Sequence, residues 1–351
     1  MAVVAVCALP AGCASNDAAA PPTSVRVAPS ATTTAPMTFA QLVADVKVRA
    51  AKSQNPGMQV YLRSGDSEES LASGVAEPKG RTLTTEDTLM VASVTKPMVA
   101  AATMALVDDG KLSLDDPVQK LLPGVLPQAK GVTVAHLLSL SSGMTDYGSR
   151  PQWKGPGTTS HLGLLALVKD LPLAFTPGSE SNEANTNYAA LGAVIEKVTG
   201  KSLGAVLTDT VFRPAGMGHS SFGGNPSARG MAGDQDVTPA TPKFPSAAAG
   251  VVSTATDLGH FLVSLRSGKI VTPASLAAMT GQRVVTQDGG YGLGVTRYRT
   301  ACGEAFGHFG HNDAFSSAAF YVPTSGRVVA VTANSGANDD LQALVTWALC
   351  A

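Results

Sequence analysis

No apolar run in this 351-residue chain reaches the roughly 20 residues that a membrane-spanning helix needs; the longest are VVAVCALPAG near the start and ALVTWALCA at the end. A transmembrane helix in the mature protein is therefore not expected. An excess of either charge is also missing. The formal net charge is −1, 15% of residues are charged and there is no basic run, so the chain carries no electrostatic footprint for nucleic acid or an anionic membrane surface. Cysteine is scarce: four residues offer few sulfur ligands, and neither a metal site nor a cofactor is expected. No internal repeat is evident. What remains is a chain long enough to bury a large core, in one domain or two interleaved ones.

The start, MAVVAVCALPAGC, reads as the apolar part of a secretion signal, with small residues before Cys13. Leu9-Pro10-Ala11-Gly12-Cys13 resembles a bacterial lipobox, so residues 1–13 are expected to be a signal with lipid attachment at Cys13. Residues 14–36 are rich in Ala, Pro, Ser and Thr, as in a flexible tether. The expectation is an exported protein, lipid-anchored to the outer face of the bacterial cytoplasmic membrane or secreted, touching the membrane only through that anchor. Export would leave Cys302 and Cys350 as a pair in an oxidising compartment, and we expect a disulfide between them. The alternative is two free buried thiols.

From Phe39 a helical pattern, FAQLVADVKVRAAK, leads through Asn55-Pro56-Gly57 to strand-like MQVYLRS, with SLASGVAE as its hairpin partner. A helix from Ser93 follows, apolar almost all round from Val99 to Val107 and stopped by Gly110. Pro97 is tolerated there because, in a helix that begins at Ser93, it would lose only the first intrahelical hydrogen bond. Residues 111–240 read mainly as helices joined by Gly/Pro loops. Beyond a helix in GVVSTATDLGHFLVSLRSG, the segments YGLGVTRY, EAFGHFGHN, SSAAFYVP and RVVAVTANS alternate as antiparallel strands, and DLQALVTWALC closes the chain as a helix. The expected class is α/β: an antiparallel sheet flanked by N- and C-terminal helices over 37–110 and 241–351, with an all-helical insertion over 111–240.

Chemistry enters with Ser93-Val-Thr-Lys96. Residues at i and i+3 share a helix face, so Lys96 can reach the Ser93 hydroxyl, and a serine needs such a proton acceptor to act as a nucleophile near neutral pH. A lone Ser-x-x-Lys is weak evidence, since about one is expected by chance in a chain of this length. Context adds more. VASVTK, DDGKLSLDDPV, TVAHLLSLSSGMTDY, PGSESNEANTNYAALG, VFRPAGMGHSSF, GVVSTATDLGHFL, YGLGV and GHFGHNDAFSS occur in an order and at separations that resemble the serine β-lactamase-related family. That group holds class C β-lactamases, D-Ala-D-Ala carboxypeptidases and esterases, and the resemblance spans roughly residues 40–350.

The resemblance implies catalytic roles for Ser93, Lys96, Asn185 and His308, and an oxyanion hole from the N–H groups of Ser93 and His311. It also implies substrate contact along His308-Phe309-Gly310, with His308 on the substrate's carboxylate side. His161-Leu162-Gly163 repeats the His-x-Gly pattern in the helical middle and is read as chance. Counting from Pro177-Gly178, the family's Tyr-x-Asn falls on Glu183-Ala184-Asn185, with glutamate in place of tyrosine. Glu183 would be a catalytic carboxylate acting through a water, or would raise the Lys96 pKa and weaken it as a base. Tyr188 matches a structural tyrosine of the family and takes no catalytic role. Two functions follow. One is a monomeric serine hydrolase acting through an acyl-enzyme on a small-molecule or peptidoglycan-derived substrate: a D-alanyl peptide, a β-lactam or an ester. The other is an impaired binding protein of the cell envelope that keeps the cleft without turnover.

Overall fold

The computed structural model describes residues 37–153, 160–238, 246–285 and 289–351. The signal, Cys13 and the tether lie outside the described residues.

Helix α1 (Phe39–Ala51) opens with a capping box, Thr38 and Gln41 each satisfying the other's backbone N–H. A hairpin follows, β1 (Gly57–Ser64) with β2 (Ser67–Gly74), then the short β3 (Leu89–Met90). Ala92–Val94 form a 3₁₀ turn and α2 (Thr95–Asp108) continues from it. Ser93 thus sits in the turn before the helix instead of at its first residue.

The middle of the chain supplies α3 (Val118–Leu121), α4 (Val134–Leu138), α5 (His161–Ala166), α6 (Thr186–Thr199), α7 (Leu203–Leu207) and α8 (Arg213–Ala215), with a π-helical stretch at Thr208–Phe212. The stretch expected to be helical to 240 ends earlier: β4 (Ser221–Phe222), β5 (Met231–Ala232) and β6 (Gln235–Asp236) are strands. Two- and three-residue strands carry no readable alternation. β4 and β3 flank β7 (Val251–Ser253) in a small sheet beside the nucleophile turn. Then come α9 (Ala255–Arg266), α10 (Pro273–Thr280), β8 (Gly289–Tyr291), β9 (Thr296–Thr300), β10 (Gly303–His311), β11 (Ser316–Tyr321), β12 (Val328–Ala333) and α11 (Asp339–Cys350).

Seven strands form one antiparallel sheet in the order β2-β1-β12-β11-β10-β9-β8. Its two faces follow from the two-residue period. On β12, Val329, Val331 and Ala333 point to the side covered by α1 and α11, while Val328 and Ala330 point to the side shared with α2 and α9. Both faces are covered, so β11 and β12 are buried throughout and read as continuous apolar runs. A disulfide joins Cys302, at the β9–β10 turn, to Cys350 at the end of α11, with 5.4 Å between their Cα atoms.

The approach to the nucleophile is tied down by a buried polar network. Asp87 accepts from both terminal nitrogens of Arg81, from the N–H and hydroxyl of Thr84 and from Ser227. Arg81 holds the Asp87 carboxyl well below the usual carboxylate range. Gln59, from the sheet, donates to Thr84 O and Asp87 O and accepts from Ala255 N–H, joining β1, this loop and α9.

Candidate active site

Ser93 follows Ala92, which has φ +44°, a left-handed conformation that costs a non-glycine residue energy. Its surroundings hold it there. Val91 N–H donates to Val251 O at 3.1 Å, Val251 N–H donates to Thr95 Oγ1 at 3.0 Å, and Ser317 Oγ on β11 donates to Val91 O at 2.7 Å. The side of this turn facing β10 is packed against Gly310. A Cβ there would lie 2.6 Å from Val91 O and 2.8 Å from Ser93 N, so only glycine lets the strand come this close.

Lys96 Nζ is 2.6 Å from Ser93 Oγ and 3.5 Å from Ala248 O. The lysine is only 4% exposed. Burial pulls its pKa down to about 8, against an opposing pull from the carboxylates of Glu183 and Asp146. The upward pull expected from Glu183 is present, but burial outweighs it. Glu183 is exposed and makes no hydrogen bond among the described residues, so water screens its attraction, whereas desolvation acts on the ammonium in full. Among the described residues Glu183 makes no direct hydrogen bond or ion pair to Lys96.

Asp146 was not anticipated. It caps the 3₁₀ turn Tyr147–Ser149 through Gly148 N–H at 2.5 Å and accepts the Asn185 N–H, joining the two loops beside Lys96. Asn185 is the N-cap of α6 and half-buried. Tyr188 lies fully buried under the lysine, with Lys96 Nζ 5.7 Å from its ring centroid. Burial holds its phenol far above the ordinary tyrosine range, which removes it as a base.

On β10 the two-residue period separates the expected substrate strip. Phe309 packs into the core beneath α11, edge-on to Tyr298 at 5.2 Å and against Phe320 at 4.6 Å. Its side chain is partly buried against that core, on the face of β10 opposite Gly310. His308 faces the other way. Its Nδ1 meets Phe309 O and its Nε2 is 3.1 Å from Tyr291 Oη. With both nitrogens engaged, the ring has no N–H to offer a substrate carboxylate, which corrects the role expected of it. His311 is exposed. Asn312 N–H bonds to Phe315 O across the hairpin; because bonded pairs alternate along an antiparallel ladder, the His311 N–H points away from β11, toward the open edge beside Ser93.

Tyr291, quoted in YGLGV without a role, links His308 to the buried Tyr188 hydroxyl. Gly294, at φ +83°, permits this packing, since a Cβ would lie 2.1 Å from Ala100 Cβ. His161 does not reach Ser93. Its Nε2 accepts the Ala247 N–H at 3.2 Å and its Nδ1 is 3.1 Å from Glu196, so it steadies the loop that presents Ala248 O to Lys96.

A family model described as Beta-lactamase matches residues 38–349. The chain belongs to the beta-lactamase family. Within it, the chain is 30% identical over 296 residues to penicillin-binding protein 4 of Amycolatopsis lactamdurans, covering 76% of this chain and 77% of that protein. Similarity to the esterase EstB of Burkholderia gladioli is 34% over 180 residues, 46% of each chain, so the match spans about half of that relative's length. Among solved structures, a D-stereospecific amidohydrolase from Streptomyces sp. superposes with a TM-score of 0.75 at 26% identity, covering 88% of this chain and 98% of that one. The beta-lactamase fold, with its antiparallel sheet between helical layers, is the α/β class expected from the sequence. These relatives make it a family of serine hydrolases acting on esters and amides.

Proposed function

We propose that this protein is an acyl-transfer hydrolase with Ser93 as nucleophile and Lys96 as its proton acceptor. The observation that carries this reading is the 2.6 Å contact between Ser93 Oγ and a buried lysine whose pKa is pulled down to about 8. At pH 7 roughly one lysine in ten is then neutral and able to take the serine proton, against fewer than one in a thousand at the ordinary value. Ser93 attacks an amide or ester carbonyl, and its proton passes to Lys96. The oxyanion is received by the N–H groups of Ser93 and His311, each such donor worth about 2.7–4 kcal/mol of the barrier. Lys96 returns the proton to the leaving group, and a water activated by the same amine releases the acyl group. Asn185 orients the lysine side of the cleft. Relatives named as an esterase and an amidohydrolase support esters and amides as the substrate class.

The test is intact-protein mass after exposure to a fluorophosphonate, with Ser93→Ala as control. One adduct that disappears in the control is the expected result. No adduct on the wild type would overturn the reading and leave the impaired binding protein, with Glu183 as the departure that disabled it.

A further inference from the structure

A second cleft lies away from the nucleophile. It has a volume of about 380 Å³, at the small end for ligand pockets, and is walled by Leu276 and Ala277 of α10, by Phe306 of β10 and by Tyr321 and Pro323 at the end of β11. Phe306 and Tyr321 are register partners with ring centroids 5.8 Å apart, so they form one aromatic floor. Phe306, His308 and Gly310 share a face of β10 by the two-residue period, and Gly310 packs against Ser93. Four residues at about 3.3 Å each put Phe306 about 13 Å along the strand from Gly310, so this cleft is separate from the catalytic one.

Its polar side chains divide into committed and free. Ser267 Oγ donates to Ser264 O and Thr280 Oγ1 to Leu276 O. Tyr321 is only 3% exposed, yet its hydroxyl makes no hydrogen bond among the described residues. That oxygen is not sealed from solvent either, so it opens onto the cleft its ring lines. Burial pushes the phenol up to about 12, with Arg266 pulling the other way, so it is a protonated donor at neutral pH. Arg266, the last residue of α9, is the one charged residue lining the cleft and has no ion pair or hydrogen bond among the described residues. An arginine at a helix end ordinarily serves the last carbonyls. Here these are taken, Val263 O by the Ser267 N–H, Ser264 O by the Lys269 N–H and Leu265 O by the Gly268 N–H. The guanidinium instead extends over the β11–β12 turn, where a Cβ on Gly326 would lie 3.4 Å from one of its terminal nitrogens. Arg297, which covers the Phe306 ring at 5.5 Å, is by contrast committed to Thr280 O and Glu304.

We propose that this cleft binds a small amphiphilic carboxylate, its aryl or short alkyl body lying on Phe306, Leu276 and Ala277 and its carboxylate held between the Arg266 guanidinium and the Tyr321 hydroxyl. The ligand is an anion because both free groups donate and no acidic side chain lines the cleft. It is a monoanion because one guanidinium and one hydroxyl answer a single charge, whereas a phosphate dianion would be left partly unpaired against apolar walls. Its body is compact because the volume admits about one ring and a short chain. The site stands apart from the acyl-enzyme reading and holds whether or not Ser93 turns over.

The experiment is a ligand-observed NMR titration of the full chain with phenylbutyrate and with phenylbutyramide, its uncharged isostere, in the wild type, Arg266→Gln and Tyr321→Phe. For an acid of this size the expected dissociation constant is on the order of 1 mM or tighter. The amide and Arg266→Gln should each weaken binding by about tenfold or more, the loss of a charge-assisted hydrogen bond, and Tyr321→Phe by about three- to tenfold. Neither residue touches the nucleophile, so both variants should keep the wild-type rate of Ser93 labelling by a fluorophosphonate, and protein already labelled should bind the acid with unchanged affinity. No detectable binding, equal affinity for acid and amide, or binding unaltered in Arg266→Gln would overturn the proposal. Loss of binding on labelling would also overturn it, by placing the acid in the catalytic cleft. Should Tyr321→Phe fail to fold, judged by circular dichroism, the exposed Arg266→Gln still decides. If Ser93 takes no label, the acyl-enzyme reading falls, while the isostere and the Arg266 variant continue to test this site.

Discussion

Replacing Glu183 with glutamine should move the ascending limb of the pH–rate profile to lower pH. Burial lowers the Lys96 pKa to about 8 and the Glu183 carboxylate pulls it partly back up, so removing that charge lets desolvation act further. An exposed carboxylate acting largely through solvent contributes about 1 kcal/mol, the bulk-water value for opposite charges at short range, equivalent to somewhat under one pH unit. The sign is worked from the active form. Neutral Lys96 is the base, so the rate rises with pH through its pKa to a plateau, about 8 in the wild type and lower in the variant. The assay is the second-order rate of Ser93 labelling by a fluorophosphonate between pH 5.5 and 10, which reports acylation without depending on substrate selection. Below the limb the variant should label about three to ten times faster than the wild type, converging with it above pH 9. A limb that stays in place, or moves upward, would refute the coupling. A uniform loss of rate with no displacement would point to Glu183 taking the proton itself.

Other outcomes are expected from the same geometry. Lys96→Ala should slow Ser93 labelling by about 10²–10⁴-fold at pH 8, the usual contribution of a positioned general base, with circular dichroism unchanged. Gly310→Ala should cost about 10²–10³ in kcat, because its Cβ would lie 2.8 Å from the Ser93 nitrogen and displace an oxyanion donor; activity within twofold of the wild type would refute that packing. Opening the Cys302–Cys350 bridge with Cys302→Ser, measured by urea denaturation, should cost about 4 kcal/mol, the chain-entropy value for a loop of 48 residues' separation. Asp87→Ala should cost about 1–3 kcal/mol, mostly from the hydroxyl and backbone donors left unpaired, since the half-exposed Arg81 adds little. That difference is fully present above pH 4 and fades as the pH falls further, because the folded-state pKa of Asp87 is depressed.

Much of the site was legible because its parts lie close together in the chain. Ser93 and Lys96 are one turn apart, and β10 carries the His-x-Gly run on a strand whose period is plain. Three features were not legible. Phe309 reads as part of a substrate strip until the pairing of β10 shows that it faces α11. Tyr291 meets His308 from 17 residues away only because β8, β9 and β10 pair in register. The nucleophile turn was taken for the helix itself, since the strained Ala92 has no sequence signature.

Local periodicity, turn residues and the Ser-x-x-Lys spacing were determined by the sequence alone, because each depends on atoms within one turn or one strand. The charge state of the site was decided by the tertiary structure. Lys96 becomes a usable base, and His308 a ring without a spare donor, only when residues near 146, 188, 248, 291 and 309 close around them. Desolvation depends on what excludes water, and those groups come from segments up to 226 residues apart in the chain, as the Ser317–Val91 bond behind the nucleophile illustrates.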